Sequence, residues 1–207
     1  MLRLLGSLPS EFTIERRMDR IEILGLCGSL RTGSFNRMAL RAACELVPDG
    51  MAIRPFERLG EIPLYDEDVK ERGFPGAAED FRGAVAAADG LLFVTPEYNY
   101  SISGALKNAI DWASRPPRPP LVGKPAAIMG ASSGLMGTVR AQLHLRHILG
   151  GLNMPVLPRP EVLIREAAGK FDEEGRLTDE TARKHIRTLL ERLKDWTLLI
   201  RGGAQPR

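Results

Sequence analysis

Two cysteines in 207 residues, Cys27 and Cys44, are too few for a disulfide framework, and neither stands in a metal-binding spacing. Both read as small apolar packing residues, which suits a reducing compartment such as the cytoplasm. The three histidines, His144, His147 and His185, all fall in helix-patterned stretches, so no hydrolytic triad is suggested. No apolar run reaches the roughly 18 residues that a membrane span needs. No block of five like charges occurs, and 29 basic against 26 acidic side chains leave a net charge of only +3. Neither a nucleic acid nor a membrane is therefore indicated as a partner. Both common nucleotide fingerprints, GxxxxGK[ST] and GxGxxG, are missing. Residues 1–17 lack the long apolar segment of a secretory signal. They are expected to form an N-terminal extension ahead of one domain spanning 18–207.

What is present is a glycine-, hydroxyl- and arginine-rich stretch, Gly25 to Arg37, directly after the β-like run Ile21–Leu24. It opens a helix-patterned segment over 34–47, with Ser34 placed to act as N-cap. A helix N-terminus offers backbone N–H groups without intrahelical partners and a positive dipole end, which together hold anions. Ser29, Thr32, Ser34 and Asn36 can donate hydrogen bonds there, and Arg31 and Arg37 add charge. A phosphate cradle is the expectation.

Downstream, short apolar runs alternate with helical patterns. Strands are expected at 51–56, 91–94, 125–129, 153–157 and 161–164, and helices at 76–88, 104–113, 138–149 and 177–200. Residues 57–75 read as a long surface loop, and Arg115 to Pro120 as a proline-rich bend. The alternation implies an α/β fold, a doubly wound parallel sheet with helices on both faces. Ligands in such sheets bind outside the carboxyl ends of the strands. Two further strand-end loops carry suggestive residues. Thr95 to Gly104 contains Pro96, Glu97, Tyr98, Asn99 and Tyr100, flat faces and polar groups that suit a planar heterocycle. Gly130 to Gly137 is built of small residues, Ser132 and Gly134 among them, against which a flat ring can lie. A phosphate cradle beside ring-binding loops suggests a mononucleotide, and in a flavodoxin-like arrangement that ligand is FMN.

Four segments carry a family resemblance: Gly28-Ser29-Leu30-Arg31-Thr32-Gly33-Ser34-Phe35-Asn36, Pro96-Glu97-Tyr98-Asn99-Tyr100-Ser101, Leu106-Lys107-Asn108-Ala109-Ile110-Asp111-Trp112, and Arg140-Ala141-Gln142 with His144-Leu145-Arg146. In these the chain resembles the NADPH-dependent FMN reductases, a flavodoxin-like group with a five-stranded parallel sheet that includes quinone, azo-dye and chromate reductases. The resemblance implies that Ser29, Arg31, Ser34, Phe35 and Asn36 surround the FMN phosphate. It implies that Pro96, Glu97, Tyr98 and Asn99 line the isoalloxazine, with Ser132 and Gly134 on the third loop. It further implies a homodimer or homotetramer, with Tyr100, Arg140 and Glu161 near the interface. NADPH would be the hydride donor, and quinones, azo compounds, metal oxyanions or free flavin the acceptors. No catalytic side chain is expected, because the flavin carries the chemistry. Arg115 and Arg118 are candidates for the 2′-phosphate of NADPH. Many relatives have an aromatic residue where Leu143 stands, so the resemblance does not extend to a tyrosine-mediated interface hydrogen bond, and many have proline where Ser103 stands, which implies a less stiff second loop here. A flavodoxin-type electron carrier without direct NADPH oxidation is the alternative. The net basic charge argues against it, because carriers use acidic docking faces.

Overall fold

In the computed structural model, residues 20–203 are described, so the expected extension over 1–17 lies outside them. The apolar runs become five parallel strands in one sheet of order β2-β1-β3-β4-β5. They are β1 (Ile21–Cys27), β2 (Met51–Phe56), β3 (Gly90–Val94), β4 (Ala126–Ala131) and β5 (Val162–Ile164). The six helices of the described residues are α1 (Phe35–Glu45), α2 (Glu67–Glu71), α3 (Gly76–Ala87), α4 (Gly104–Ala113), α5 (Val139–Gly151) and α6 (Glu180–Gly203).

Position in the sheet explains the composition of each strand. The inner strands β3 and β4 are buried at every residue, which is why they are continuous apolar runs. Strand β2 lies at an edge, where Pro55 costs no ladder hydrogen bond on its open side. Helices α1 and α6 cover one face through Ala39, Leu40, Ile186, Leu189 and Leu190. Helices α3, α4 and α5 cover the other through Phe81, Leu106, Ile110, Trp112 and Leu145.

Three expectations need correction. Residues 57–75 are not a bare loop: a 3-10 turn at Leu59–Glu61 and the short helix α2 break it, and Leu59 and Ile62 are buried. Helix α4 fastens this crossing. Asn108 Oδ1 accepts the Tyr65 N–H at 2.8 Å, and Trp112 Nε1 donates to the Pro63 carbonyl at 2.8 Å. Those partners lie more than forty residues away in sequence, where no local pattern registers them. The stretch 153–157 is not a strand either. Asn153 takes a positive φ of 57°, the Met154 N–H closes onto Leu149, and a single bridge, Ala126 to Val156, is all that forms. Strand β4 runs on to Ala131, two residues past its expected end, because a side chain from α1 completes its ladder there.

Candidate functional site

Because all five strands are parallel, the loops that follow β1, β3 and β4 emerge at the same edge of the sheet. They are fastened to one another. The Gly28 N–H donates to the Val94 carbonyl at 2.9 Å, and the Thr95 N–H to that of Met129 at 3.0 Å. Ser103 Oγ donates to the Gly28 carbonyl while capping α4 through the Leu106 N–H. Ser103 therefore ties the second loop to the first. Two glycines are required by this close approach. A Cβ on Gly28 would stand 3.0 Å from Pro96 Cδ, and one on Gly130 would collide with Thr138 Oγ1 and the Thr95 carbonyl.

The first loop brings together the groups that an anion cradle needs. Ser34 caps α1, its hydroxyl accepting the N–H groups of Asn36 and Arg37 at 3.2 and 3.3 Å. The first turn of α1 contains no acidic residue, so nothing there neutralises the dipole. The backbone N–H groups of Leu30, Arg31, Thr32 and Gly33 have no acceptor among the described residues. Arg31 and Arg37 are exposed and form no ion pair among them. Ser29, 4% exposed, stands with its Oγ 3.3 Å from the Tyr98 hydroxyl, linking cradle to second loop. Two residues expected at the cradle direct their side chains elsewhere. The Phe35 ring stacks on Phe171 at 5.6 Å. The Asn36 amide is buried and grips Ala131, Nδ2 donating to its carbonyl at 2.9 Å and Oδ1 accepting its N–H at 2.8 Å. Asn36 thereby fixes the spacing between the first and third loops.

The second loop ends in a tight turn. Tyr98 and Ser101 exchange both backbone hydrogen bonds, at 2.9 and 3.0 Å, with Asn99 at φ 49° and Tyr100 at φ 69°. Two consecutive positive φ values define a type I′ turn, which Asn accepts readily and Tyr does not. The first turns of α5 hold that strained geometry. Glu97 Oε2 accepts the N–H groups of Arg140 and Ala141 at 2.9 and 3.1 Å, and Oε1 pairs with the Arg140 guanidinium at 3.2 Å. The guanidinium covers the Tyr100 ring at 4.1 Å, and His144 Nδ1 meets Ser101 Oγ at 2.7 Å. The Glu97 carboxylate therefore supplies the cap that α5 lacks from its own chain end. Pro96 is buried, while Tyr98 presents about half of its surface, 48%, to the outside.

In the third loop, Ser132 Oγ accepts the Gly134 N–H at 3.1 Å, and Ser133 to Met136 are exposed. Sequence reasoning missed its support. After β5, the N–H groups of Glu166 and Ala167 donate to the carbonyls of Gly134 and Ser132 at 3.3 and 3.0 Å. These are backbone contacts, so no residue type advertised them. Thr138, fully buried behind Gly130, was also missed, although a threonine just ahead of a helix is a recognisable signal. Arg115 and Arg118 are not at this edge. Helix α4 runs back along the sheet and delivers them to the start of β4, at the opposite edge. There the Arg115 guanidinium binds the Asp111 carbonyl and Ser114 Oγ, and Arg82 donates to the carbonyls of Trp112, Arg115 and Pro117. Cys27, at the foot of the cradle, keeps its proton: burial pushes its thiol up, against the weaker pull of the Ser29 hydrogen bond and the Arg37 charge.

Comparison with known proteins agrees with this architecture. The family model for the NADPH-dependent FMN reductases matches residues 21–169. The chain is 55% identical over 184 residues to an NAD(P)H-dependent FMN reductase of Pseudomonas aeruginosa, covering 89% of this chain and 99% of that one. It is 42% identical to a quinone reductase of Escherichia coli K12, covering 81% and 90%. Among solved structures, the flavoenzyme NAD(P)H:(acceptor) oxidoreductase FerB from Paracoccus denitrificans superposes with a TM-score of 0.79 at 30% identity, over 86% of this chain and 98% of that one. With the sheet order and the match over residues 21–169 in agreement, the chain belongs to the NADPH-dependent FMN reductase family.

Proposed function

We propose that this protein is an FMN-containing oxidoreductase that takes reducing equivalents from NAD(P)H and delivers them to quinone-type acceptors. The observation that carries the reading is the cradle itself. An N-terminus of an 11-residue helix with no first-turn acid, several unclaimed loop N–H groups, three hydroxyls and two unpaired arginines fits one terminal phosphate. Ser29, Arg31, Thr32 and Ser34 would hold that phosphate, with the backbone of Phe35 and Asn36 completing the helix end. The loop backbone and exposed faces at Pro96 to Asn99, with Ser132 and Gly134, would flank the ring. Bound FMN supplies hydride acceptance from the nicotinamide and electron transfer to the acceptor.

The chain's own task is positioning. Asn36 holds the cradle and third loop at a fixed separation. Glu97, Arg140 and His144 hold the second loop in a conformation it would not adopt alone. Such prior ordering lowers the entropy cost of bringing two reactants together. Exposed backbone N–H groups can stabilise negative charge as it develops on a ligand in a site that excludes water.

The protein is further read as a single domain over 18–207 acting in the cytoplasm as a homo-oligomer. No helix among the described residues is long and apolar enough to cross a membrane. The exposed apolar side chains of Leu135, Met136, Leu143 and Tyr100 beside the second and third loops support coverage by another subunit. The Tyr100–Arg140 pair stands at that patch, whereas Glu161 pairs with Arg159.

The test is direct. Purified protein with FMN is mixed with NADPH without oxygen. Loss of the flavin's visible absorption is expected, followed by its return on adding a quinone. No bleaching would sink the reductase reading and leave the electron-carrier alternative.

A further inference from the structure

Between β5 and α6 the chain runs from the third loop to the outer face of α1. We propose that this segment, residues 166–177, is a positioning strap for the flavin site. In it Phe171 sets the helix end that receives the phosphate, and Glu166 sets the third loop that flanks the ring. Each acts through the element it holds and not by touching the flavin. The proposal rests on the reading of that site given above.

The first anchor is the third loop. The N–H groups of Glu166 and Ala167 donate to the carbonyls of Gly134 and Ser132, and Ala167 is fully buried. Where these two successive N–H groups meet that loop, Glu166 stands in the left-handed region, at φ 47° and ψ 44°. A residue with a side chain is uncommon there, and a β-branched one is strongly disfavoured. Glu166 is exposed, so its backbone and not its packing defines the position.

The second anchor is α1. Phe171 stacks on Phe35, the first residue of α1 after the Ser34 cap, with ring centroids 5.6 Å apart and planes 22° from parallel. The contact continues along the same helix face, through Met38 and Arg41. Arg41 Nη2 donates to the Glu174 carbonyl at 2.6 Å. Gly175 lies at φ 72°, and a Cβ there would stand 2.9 Å from Arg41 Nη2 and 3.1 Å from Met38 Cγ. The strap therefore rests directly on the helix.

Between its anchors the strap is braced. Phe171 and Leu177 form an antiparallel bridge, the Asp172 N–H donates to the Arg176 carbonyl at 3.0 Å, and the Asp172 carboxylate pairs with the Arg176 guanidinium at 2.7 Å. Leu177 is buried. A braced segment fixed at both ends holds those ends at a set separation, which a slack one would not. Asn36 joins α1 to the end of β4 from within the core, and the strap joins the same two regions from outside. A binding constellation needs its groups held within about 0.5 Å by residues that do not themselves meet the ligand.

The experiment separates the two ends of the flavin, since riboflavin has the ring of FMN without the phosphate. Full-length protein freed of flavin is titrated with each, by flavin fluorescence, at a temperature where every variant is folded. Phe171→Ala should weaken FMN about tenfold and riboflavin by no more than about twofold, because only the helix end loosens. It should also flatten the rise of the FMN Kd with salt, which reports the phosphate's share of binding. Phe171→Leu, which keeps an apolar contact with Phe35, should recover most of the loss. Glu166→Val should weaken both flavins about fivefold and leave the salt dependence as it is, whereas Glu166→Gly, which takes a positive φ freely, should weaken neither. Asn153→Val is the control. It puts a β-branched residue at φ 57° in the turn after α5, beside Gly123 at the opposite edge of the sheet. It should lower the melting temperature and change neither affinity. The strap is overturned if Phe171→Ala shifts FMN by less than about twofold or leaves its salt dependence unchanged, or if Glu166→Gly weakens binding as much as Glu166→Val. It is equally overturned if Asn153→Val weakens the flavins as the strap variants do. A parent protein that binds neither flavin would sink the reading of the site itself; a parent that binds FMN while the variants fail these comparisons sinks the strap alone.

Discussion

Replacing Asn36 by alanine should be among the most damaging single changes in the molecule that removes no apolar core atom. The amide is 4% exposed and its two bonds, 2.9 and 2.8 Å, go to both backbone groups of Ala131, itself 3% exposed. Truncation strands one buried N–H and one buried carbonyl. Each unsatisfied group costs roughly 1–3 kcal/mol, and a water entering the vacated space recovers part of it, so about 2–4 kcal/mol in total is expected. Against a typical total stability of about 5–15 kcal/mol this is a large fraction. With a urea slope of roughly 2 kcal/mol per molar, the midpoint should fall by about 1–2 M with the slope unchanged. Asn36→Asp is the informative companion. It keeps the acceptor for the Ala131 N–H, loses the donor to its carbonyl, and adds a negative charge beside the cradle. It should recover part of the stability and yet bind FMN more weakly than Asn36→Ala. Chemical denaturation followed by tryptophan fluorescence, with FMN titrations alongside, measures both. A midpoint change under about 0.3 M for Asn36→Ala would refute the clamp.

Gly130→Ala should fail to give soluble folded protein or lose at least about 3 kcal/mol, because the added Cβ meets Thr138 Oγ1 and the Thr95 backbone carbonyl, which cannot swing away; a thermal melt or expression trial checks this. Arg31→Glu should weaken FMN binding tenfold or more while leaving the melting temperature of the FMN-free protein within about 2 °C, since its side chain is exposed and unpaired; flavin fluorescence quenching reads the first and scanning calorimetry the second. Cys27 should react with a thiol reagent more slowly than a free cysteine at pH 8, and at the ordinary rate once unfolded. Burial raises its pKa in the folded state, so the reactive thiolate is scarcer there. Equal rates folded and unfolded would contradict that protonation state.

Much of the fold was legible because burial in a parallel sheet leaves a strong local trace. Strands enclosed on both faces, such as Leu91 to Val94, must be continuously apolar, and the helices between them must carry a one-sided stripe. The start of α1 was legible for a related reason: Ser34 and the glycines of the preceding loop fall within one strand-to-helix turn, where local sterics and capping act. The misread stretches share the opposite property. Residues 57–75 are held by Asn108 and Trp112, and the tail of β4 is held by Asn36, 95 positions away. Residues 153–157 were apolar enough for a strand, but Asn153 bends the chain and only one bridge forms.

The sequence by itself determined the fold class, the alternation of strands and helices outside 57–75 and 153–157, the position of the three strand-end loops and the family. Each of these depends on residue types at short spacing, where local sterics, helix capping and hydrophobic periodicity act. Only the tertiary structure decided which of the expected residues are free to meet a ligand. It committed Asn36 and Glu97 to holding loops together, turned the Phe35 ring onto Phe171, and used Ser103 to tie the second loop to the first. It also carried Arg115 and Arg118 to the edge opposite the three strand-end loops. The physical reason is that hydrogen bonds and charges act through a few ångströms of space, and chain direction through the sheet, not sequence spacing, sets which side chains come within that range.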